Sequence, residues 1–197
     1  MALASKLKKQ TNKVYCILGD GELQEGQIWE AAMTAGHYKL DNLCVIIDNN
    51  NLQIDGRIED IVNPYPIDEK FKSFGFQIIN IDGNDIDQVI DTLKKLKEIG
   101  GSILLHTLTK KGKGYAPAEA NQTVWHAPGA FDPETGERLK VDNGISRYQD
   151  VFGEVLLDLA RSNPSVVGIT PAMASGCGMN LLSKEMPERF FDVGIEE

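Results

Sequence analysis

Cysteine is scarce in this 197-residue sequence, which contains three. Cys16 and Cys44 stand inside short apolar runs, where a cysteine usually behaves as a small buried hydrophobe, and the odd, low count argues against a disulfide framework. No stretch approaches the roughly 18 consecutive apolar residues of a membrane-spanning helix, and the N-terminus lacks the residue order of a signal peptide. We therefore expect a protein of a reducing compartment, cytoplasmic or plastid in a eukaryote, without membrane association.

Positive charge is the second shortage. The sequence has 20 lysines and arginines against 29 aspartates and glutamates, which gives a formal net charge of -9. This balance, without a basic stripe, argues against a nucleic-acid groove or an anionic membrane surface as the partner. An anionic small molecule would have to meet local positive groups or a metal ion. The hydrophobic fraction of 42% is ordinary for a globular protein with a core.

Strand-like and helix-like patterns alternate along the first 110 residues. Short apolar segments are followed by longer segments with apolar residues at helical spacing, which predicts an α/β fold with a parallel sheet and helices on both faces. Asn84 is the predicted N-cap of one helix and Gly100 its predicted stop. The predicted strands are 14–18, 43–47, 77–81 and 102–108.

Polar and glycine-rich segments follow three of these strands directly. They are the Gly19-Asp20-Gly21 turn, the run 48–51 and the segment 110–115. Parallel sheets bind ligands beyond the carboxyl ends of their strands. We therefore expect the three segments to converge on one crevice.

A metal site is predicted at two of these strand ends. Asp20 and Asn50 are 30 positions apart, a spacing that spans one crossover between neighbouring strands. Carboxylate and amide oxygens are hard ligands that Mg²⁺ accepts together with a backbone carbonyl, diphosphate oxygens and water. Each motif alone has an ordinary alternative, because Gly-Asp-Gly and asparagine-rich segments also form surface turns.

The first half of the sequence resembles the transketolase family. The shared motifs are Gly-Asp-Gly-Glu-Leu-Gln-Glu-Gly from position 19, Trp-Glu-Ala-Ala from position 29 and Leu-Gln-Ile-Asp-Gly from position 52. The resemblance implies the diphosphate-binding part of an enzyme that uses thiamine diphosphate and Mg²⁺. For Ile54 an ordinary core position is an equally good alternative. The implied roles are metal ligand for Asp20, Asn50 and the carbonyl of Leu52, diphosphate neighbour for Gly21 and Glu22, and cofactor contact for Asn50 and Ile54.

The second half is more similar to the 1-deoxy-D-xylulose-5-phosphate synthase family, in the segments 109–119, 126–132, 168–173 and 191–197. This resemblance implies that Tyr115 contacts the cofactor, that His126 reaches the substrate or the diphosphate, and that Glu197 faces the aminopyrimidine. His126 and Glu197 are thus the candidate catalytic residues. Each residue also has an ordinary alternative. Tyr115 could be a loop aromatic, His126 a solvated linker residue and Glu197 part of a frayed terminus. The sequence departs from the family at Glu196, where a small residue is usual.

The same resemblance implies a division into domains. Residues 1–127 would form a diphosphate-binding domain truncated at its N-terminus, 128–146 a linker rich in proline, glycine and acidic residues, and 147–197 the start of a pyrimidine-binding domain truncated at its C-terminus. A homodimer is expected for the full-length form. The isolated chain is expected to be inactive, because its second domain is incomplete.

Three functions remain open at this point. The first is the synthase reaction, in which pyruvate and glyceraldehyde 3-phosphate give 1-deoxy-D-xylulose 5-phosphate and CO₂ for isoprenoid and thiamine synthesis. The second is transketolase, which moves a two-carbon ketol unit between sugar phosphates. The third is a non-catalytic fragment or binding module with the same fold.

Overall fold

The structure is a computed structural model and describes residues 1–53, 56–122, 124–126, 128–138 and 144–195. Strands and helices alternate in the described part of the chain. The strands are β1 (Val14–Gly19), β2 (Leu43–Asn49), β3 (Leu52–Gln53), β4 (Gly56–Arg57), β5 (Gln77–Asp82), β6 (Ile103–Leu108), β7 (Gly168–Thr170) and β8 (Phe190–Asp192). The helices are α1 (Ala2–Leu7), α2 (Gly26–His37), α3 (Ile58–Ile61), α4 (Ile67–Ser73), α5 (Ile86–Leu96), α6 (Ala116–Ala120), α7 (Tyr148–Ser162) and α8 (Asn180–Glu185).

Four strands form the main sheet, in the order β1-β2-β6-β5, and every neighbouring pair is parallel. The helix α2 connects β1 to β2, and α5 connects β5 to β6. Each predicted strand is present, with bounds that differ by at most two residues from the predicted ones. The predicted α/β class with a parallel sheet is confirmed.

The two faces of the sheet carry separate apolar cores, because alternate side chains of each strand point to opposite faces. On one face, Val45 and Ile47 of β2 pack with side chains of α2 and α4, among them Ala32 and Phe71. On the other face, Cys44 and its neighbours on β5 and β6 pack against α5. Helices therefore cover both faces, although Ile17 on the edge strand β1 stays 71% exposed.

The cap of α5 differs from the sequence prediction. Asp85, and not Asn84, is the N-cap, because its Oδ1 accepts the backbone N–H groups of Asp87 and Gln88 at 3.0 and 3.2 Å. Asn84 has another partner, since its Oδ1 accepts the N–H of Lys110 at 2.9 Å. The helix also ends earlier than predicted, at Leu96.

The segment after residue 144 forms a second, smaller unit. The helices α7 and α8 pack around Leu157, Ala160 and Leu182, with the two parallel strands β7 and β8 beside them. Gly153 in α7 and Gly178 lie so close that a Cβ atom on Gly153 would be 2.2 Å from the carbonyl oxygen of Gly178. The two glycines therefore allow the helix to contact the backbone of the following loop.

None of the described helices is both long enough and apolar enough to cross a membrane.

The cap of α5 gives a first prediction. Hydrogen bonds from Gln88 and Asp87 lower the pKa of Asp85, so its carboxylate stabilises the fold above the ordinary aspartate pKa and loses this effect as the pH falls through the lowered pKa. Asp85→Ala should lower the thermal unfolding midpoint by a few degrees at neutral pH. The difference from wild type should shrink on acidification. Asp91→Ala, on the exposed face of the same helix, is the control and should change the midpoint little.

Candidate functional site

The turn after β1 and the loop after β2 lie side by side at the carboxyl edge of the sheet. Gly19 is in register with Asp48, and the N–H of Asp20 donates to the carbonyl of Asp48 at 3.2 Å. The end of β6 joins the same edge, because the N–H of Thr109 donates to the carbonyl of Asn49 at 2.9 Å. The ends of β1, β2 and β6 therefore lie at one edge, and the convergence of the segments 19–21, 48–51 and 110–115 on one crevice stays a prediction.

Asp20 is the buried acid at this edge, with 2% of its surface exposed. Its Oδ1 accepts the N–H of Gly21 at 2.8 Å, and its Oδ2 accepts the N–H of Asn51 from the loop after β2. Burial raises the pKa of Asp20, backbone N–H donors work in the opposite direction, and the charge of Asp48 adds to the rise. A bound cation would compensate for the cost of this buried carboxylate.

Asn50 and Leu52 lie in the loop that Asp20 contacts. The Oδ1 of Asn50 accepts the N–H of Leu52 at 3.2 Å, and Asn51 between them has a left-handed backbone with φ of 58°. Asparagine adopts this conformation more readily than most residues. The structure thus brings the predicted ligands Asp20, Asn50 and Leu52 into two adjacent loops, and their joint binding of a metal ion stays a prediction.

Two side chains that follow β2 carry polar atoms without hydrogen-bond partners. Among the buried side chains that the structure describes, the Oδ1 of Asn51 and both Nε2 and Oε1 of Gln53 have no hydrogen-bond partner. Buried polar groups are normally satisfied, so such atoms indicate a polar ligand or solvent at the edge. Carboxylate, amide and carbonyl oxygens together form a donor set that fits a hard divalent cation such as Mg²⁺.

The backbone of Gly21 is closely approached by the far end of the described chain. A Cβ atom on Gly21 would lie 2.9 Å from the Cδ1 of Ile195. The N–H of Ile195 donates to the Oε1 of Gln24 at 2.7 Å, and Gly194 is buried beside the same side chain. The segment after β8 therefore packs on the Gly-Asp-Gly turn. Glu197 follows two positions later, and both Glu197 and Ile54 lie outside the described residues.

The acidic residues after Asp20 have different surroundings. Glu22 is exposed, and its Oε2 accepts the N–H of Gly19 at 3.0 Å, so this side chain closes the turn. Glu25 is the buried one, with 5% exposure, and accepts a hydrogen bond from the Nε2 of Gln27 at 3.2 Å. The predicted position of Glu22 beside the diphosphate is compatible with its place in the turn and remains a prediction.

Tyr115 lies in an aromatic cluster with Trp125 and Phe131. Its ring centroid is 5.1 Å from that of Trp125 and 5.8 Å from that of Phe131, and its hydroxyl donates to the carbonyl of Pro133 at 3.2 Å. His126 is half-buried next to this cluster in the sequence. The described contacts give Tyr115 a packing role, and the cofactor contact of Tyr115 and the substrate contact of His126 stay predictions.

Sequence reasoning missed a buried polar cluster behind the loop after β2. His106 of β6 is 7% exposed and lies between Asn49 and Asp68, while Tyr65 contacts Asn49 from the other side. A single signal could have indicated it. His106 is a lone histidine in the otherwise apolar first part of β6, Ile-Leu-Leu-His-Thr-Leu.

These features define a class of protein: an α/β domain with acidic and polar residues at the carboxyl ends of its parallel strands, a donor set that suits a divalent cation. The chain matches the family described as transketolase, thiamine diphosphate binding domain, over residues 4–151. It therefore belongs to that family. The membership implies thiamine diphosphate with a divalent metal ion such as Mg²⁺ as the cofactor.

Curated relatives are more specific. The 1-deoxy-D-xylulose-5-phosphate synthases of Azobacteroides pseudotrichonymphae and Phocaeicola vulgatus are 37% identical over 246 residues and 38% identical over 247 residues, and each alignment covers 100% of this chain and 39% of the relative. The synthase of Bacteroides thetaiotaomicron is 53% identical over 119 residues, which covers 59% of this chain and 18% of the relative. The chain spans about two fifths of the length of the first two relatives.

A solved transketolase from Campylobacter jejuni has the same fold. It superimposes with a TM-score of 0.55 at 23% sequence identity, and the match covers 98% of this chain and 42% of the transketolase chain. This likeness confirms the thiamine-diphosphate-binding type of α/β fold.

Gly21 gives the second prediction. Gly21→Ala should preserve the fold, because the one close contact of the new methyl group is the movable tip of Ile195 at 2.9 Å, while Gln53 Cβ at 3.5 Å and Ile58 Cγ2 at 3.7 Å are at ordinary contact distance. The methyl group should displace Ile195 and shift the turn whose backbone would contact the diphosphate, so the affinity for thiamine diphosphate in Mg²⁺ should fall about tenfold by calorimetry. Gly26→Ala is the matched control, since its Cβ would have nothing within 4 Å. Equal affinities for both variants would contradict the prediction.

Proposed function

We propose that this chain holds the diphosphate end of thiamine diphosphate through Mg²⁺, in a protein that condenses pyruvate with glyceraldehyde 3-phosphate to 1-deoxy-D-xylulose 5-phosphate and CO₂. The observation that carries the proposal is the buried carboxylate of Asp20, which joins the turn after β1 to the loop after β2 through the N–H of Asn51. The similarity to synthases over the whole chain supports the choice of reaction.

In this proposal Asp20, the side-chain oxygen of Asn50 and the carbonyl of Leu52 are the metal ligands. Gly21 and Glu22 lie beside the diphosphate, and Ile54 packs on the cofactor rings. The support is local: Asp20 contacts the loop that carries Asn50 and Leu52, and unpartnered polar atoms of Asn51 and Gln53 lie in the same loop region.

When bound, thiamine diphosphate supplies a nucleophilic carbon that adds to the carbonyl of pyruvate and a ring that accepts the electrons released with CO₂. The chain contributes binding, orientation and proton transfer. Glu197 is proposed to accept a hydrogen bond at the aminopyrimidine, which favours the tautomer that removes the proton from that carbon. The position of Ile195 on the Gly-Asp-Gly turn supports this role, because it brings the chain close to the diphosphate site two residues before Glu197.

His126 is proposed to reach the substrate or the diphosphate, and Tyr115 to contact the cofactor from the aromatic cluster. Trp125 places His126 near Tyr115, because it directly precedes His126 and packs edge-to-face on the ring of Tyr115. Packing against two aromatic neighbours fixes the orientation of the Tyr115 ring, which suits a residue that excludes water from a reacting centre.

The domain division is part of the proposal. Residues 1–127 form the diphosphate-binding domain, 128–146 the linker and 147–197 part of the pyrimidine-binding domain. The two apolar cores of the four-stranded sheet are separate from the core around α7 and α8, which supports two units.

We also propose that the full-length protein is a homodimer and that it is located in the cytoplasm. The three free thiols of Cys16, Cys44 and Cys177 support the location, because free cysteines suit a reducing compartment.

The metal site gives the third prediction. Asp20→Ala and Asn50→Ala should each weaken Mg²⁺-dependent binding of thiamine diphosphate by at least about tenfold, because each removes a hard oxygen ligand. Calorimetric titration of the purified chain with thiamine diphosphate, with and without Mg²⁺, measures this effect. Asp91→Ala removes an exposed carboxylate and is the control. Unchanged affinity in both site variants would refute the site.

The reaction gives the fourth prediction. The natural protein that carries this sequence, supplied with thiamine diphosphate and Mg²⁺, should release CO₂ from pyruvate and form 1-deoxy-D-xylulose 5-phosphate with glyceraldehyde 3-phosphate. Glu197→Gln should lower kcat by about a hundredfold or more, since it removes a group of the proton relay. Product analysis by mass spectrometry distinguishes the outcomes. Ketol transfer between sugar phosphates would indicate transketolase instead, and no turnover with either substrate set would indicate a binding module.

A further inference from the structure

A chain of hydrogen bonds runs from the surface of the domain to the loop after β2. The Nδ1 of His106 lies 2.6 Å from the Oδ1 of Asp68, and its Nε2 lies 2.8 Å from the Nδ2 of Asn49. The Oδ1 of Asn49 accepts the hydroxyl of Tyr65 at 2.9 Å and the N–H of Asn51 at 3.2 Å. This series of hydrogen bonds therefore ends at Asn51, whose N–H also donates to Asp20.

The donors and acceptors in this series of hydrogen bonds permit only one placement of the protons. Because the Oδ1 of Asn49 accepts from Tyr65 and Asn51, its Nδ2 faces His106. An amide NH₂ group only donates, so the Nε2 of His106 is the acceptor and carries no proton. The proton is then on Nδ1, which donates to Asp68. Every polar atom of the two buried side chains, His106 and Asn49, has a partner of the right kind.

The outer end of the chain is fixed to the sheet. The Oδ2 of Asp68 accepts the Nδ2 of Asn80 at 2.8 Å, and Asn80 of β5 is in register with His106 of β6. Asp68 belongs to the first turn of α4. A helix and two strands therefore hold the imidazole, and its orientation does not depend on the loop after β2.

We propose that His106 is a positioning residue, which orients Asn49 and thereby holds the loop 49–52 in the shape that presents Asn50 and Leu52 to the metal ion. This inference rests on the proposed function. Asn49 immediately precedes the ligand Asn50, and its Oδ1 receives the same N–H that bonds to Asp20. Rotation of the Asn49 amide would remove this acceptor from Asn51 and would move the ligands beside it.

Position 106 carries a polar side chain in an otherwise apolar part of the strand. An apolar residue at position 106 would extend the apolar series of Ile103, Leu104 and Leu105 without the cost of burying an imidazole. The hydrogen bonds of His106 join Asp68 of α4 to Asn49, which is the last residue of β2 and directly precedes the loop. Groups that hydrogen-bond to metal ligands typically change the metal affinity by about 10- to 100-fold when they are removed, and we expect the lower end of this range for His106, which acts through Asn49.

A matched pair of variants tests the inference. His106→Gln can place a side-chain oxygen near the position of Nε2 and keep the acceptor for Asn49, whereas His106→Asn can only place an amide near Nδ1 and keep the contact with Asp68. We expect His106→Asn to weaken Mg²⁺-dependent binding of thiamine diphosphate about tenfold, and His106→Gln to remain within about threefold of wild type. Calorimetry with Mg²⁺ and thiamine diphosphate measures both affinities.

The thermal unfolding midpoint without metal separates positioning from stability. A positioning role predicts similar unfolding midpoints but different binding affinities for the two variants. If the loss of affinity in both variants is instead proportional to the loss in midpoint, the inference is overturned. If His106→Asn fails to fold, Tyr65→Phe takes its place, because it removes one donor from the Oδ1 of Asn49 and should weaken binding severalfold. Tyr148→Phe, at a tyrosine that is 96% exposed, is its control and should bind like wild type.

Asp20→Ala provides the reference. If it abolishes binding while His106→Asn, or Tyr65→Phe in its place, binds like wild type, the positioning role is wrong and the proposed function stands. If Asp20→Ala binds like wild type, the metal site itself is wrong, and the positioning role is overturned with it.

Discussion

The carboxylate of Asp20 is the group on which the local structure of the site depends. It is 2% exposed, and burial raises its pKa, so an ionised Asp20 needs compensation from its surroundings. Backbone N–H groups of Gly21 and Asn51 give part of this compensation. Because these donors come from two different loops, the same carboxylate that would bind the metal ion also fixes the turn after β1 against the loop after β2.

The parallel sheet makes this arrangement possible. β1 and β2 end at the same edge, and the register of Gly19 with Asp48 places the next residues of both strands beside each other. The strands below are held by apolar side chains on both faces, such as Ile47 and Leu105, which are almost completely buried. The cores thus provide rigidity, and the polar residues beyond the last strand positions provide chemistry.

The main sheet and the sequence positions of the candidate site residues could be predicted from the sequence. Strand positions follow from short apolar runs, and Asp20 and Asn50 stand where two of those runs end. The N-cap of α5 could not be predicted, because Asn84 and Asp85 are both good caps and the choice depends on Lys110, which is distant in sequence and occupies Asn84. The partners of His106 were hidden for the same reason. Asn49 and Asp68 are 57 and 38 positions away, and only the folded sheet brings them together.

The charges at the proposed site favour a metal ion as the partner of an anionic ligand there. Asp20, Asp48 and Glu22 all lie at the edge where a diphosphate would bind, and the charge of Asp48 already raises the pKa of Asp20. A diphosphate beside these carboxylates would meet repulsion that backbone N–H groups alone would have to overcome. A divalent cation held by Asp20 would attract the diphosphate and would offset the repulsion from these carboxylates. In the proposed site, the acidic turn would therefore bind the cation, and the cation in turn would bind the diphosphate.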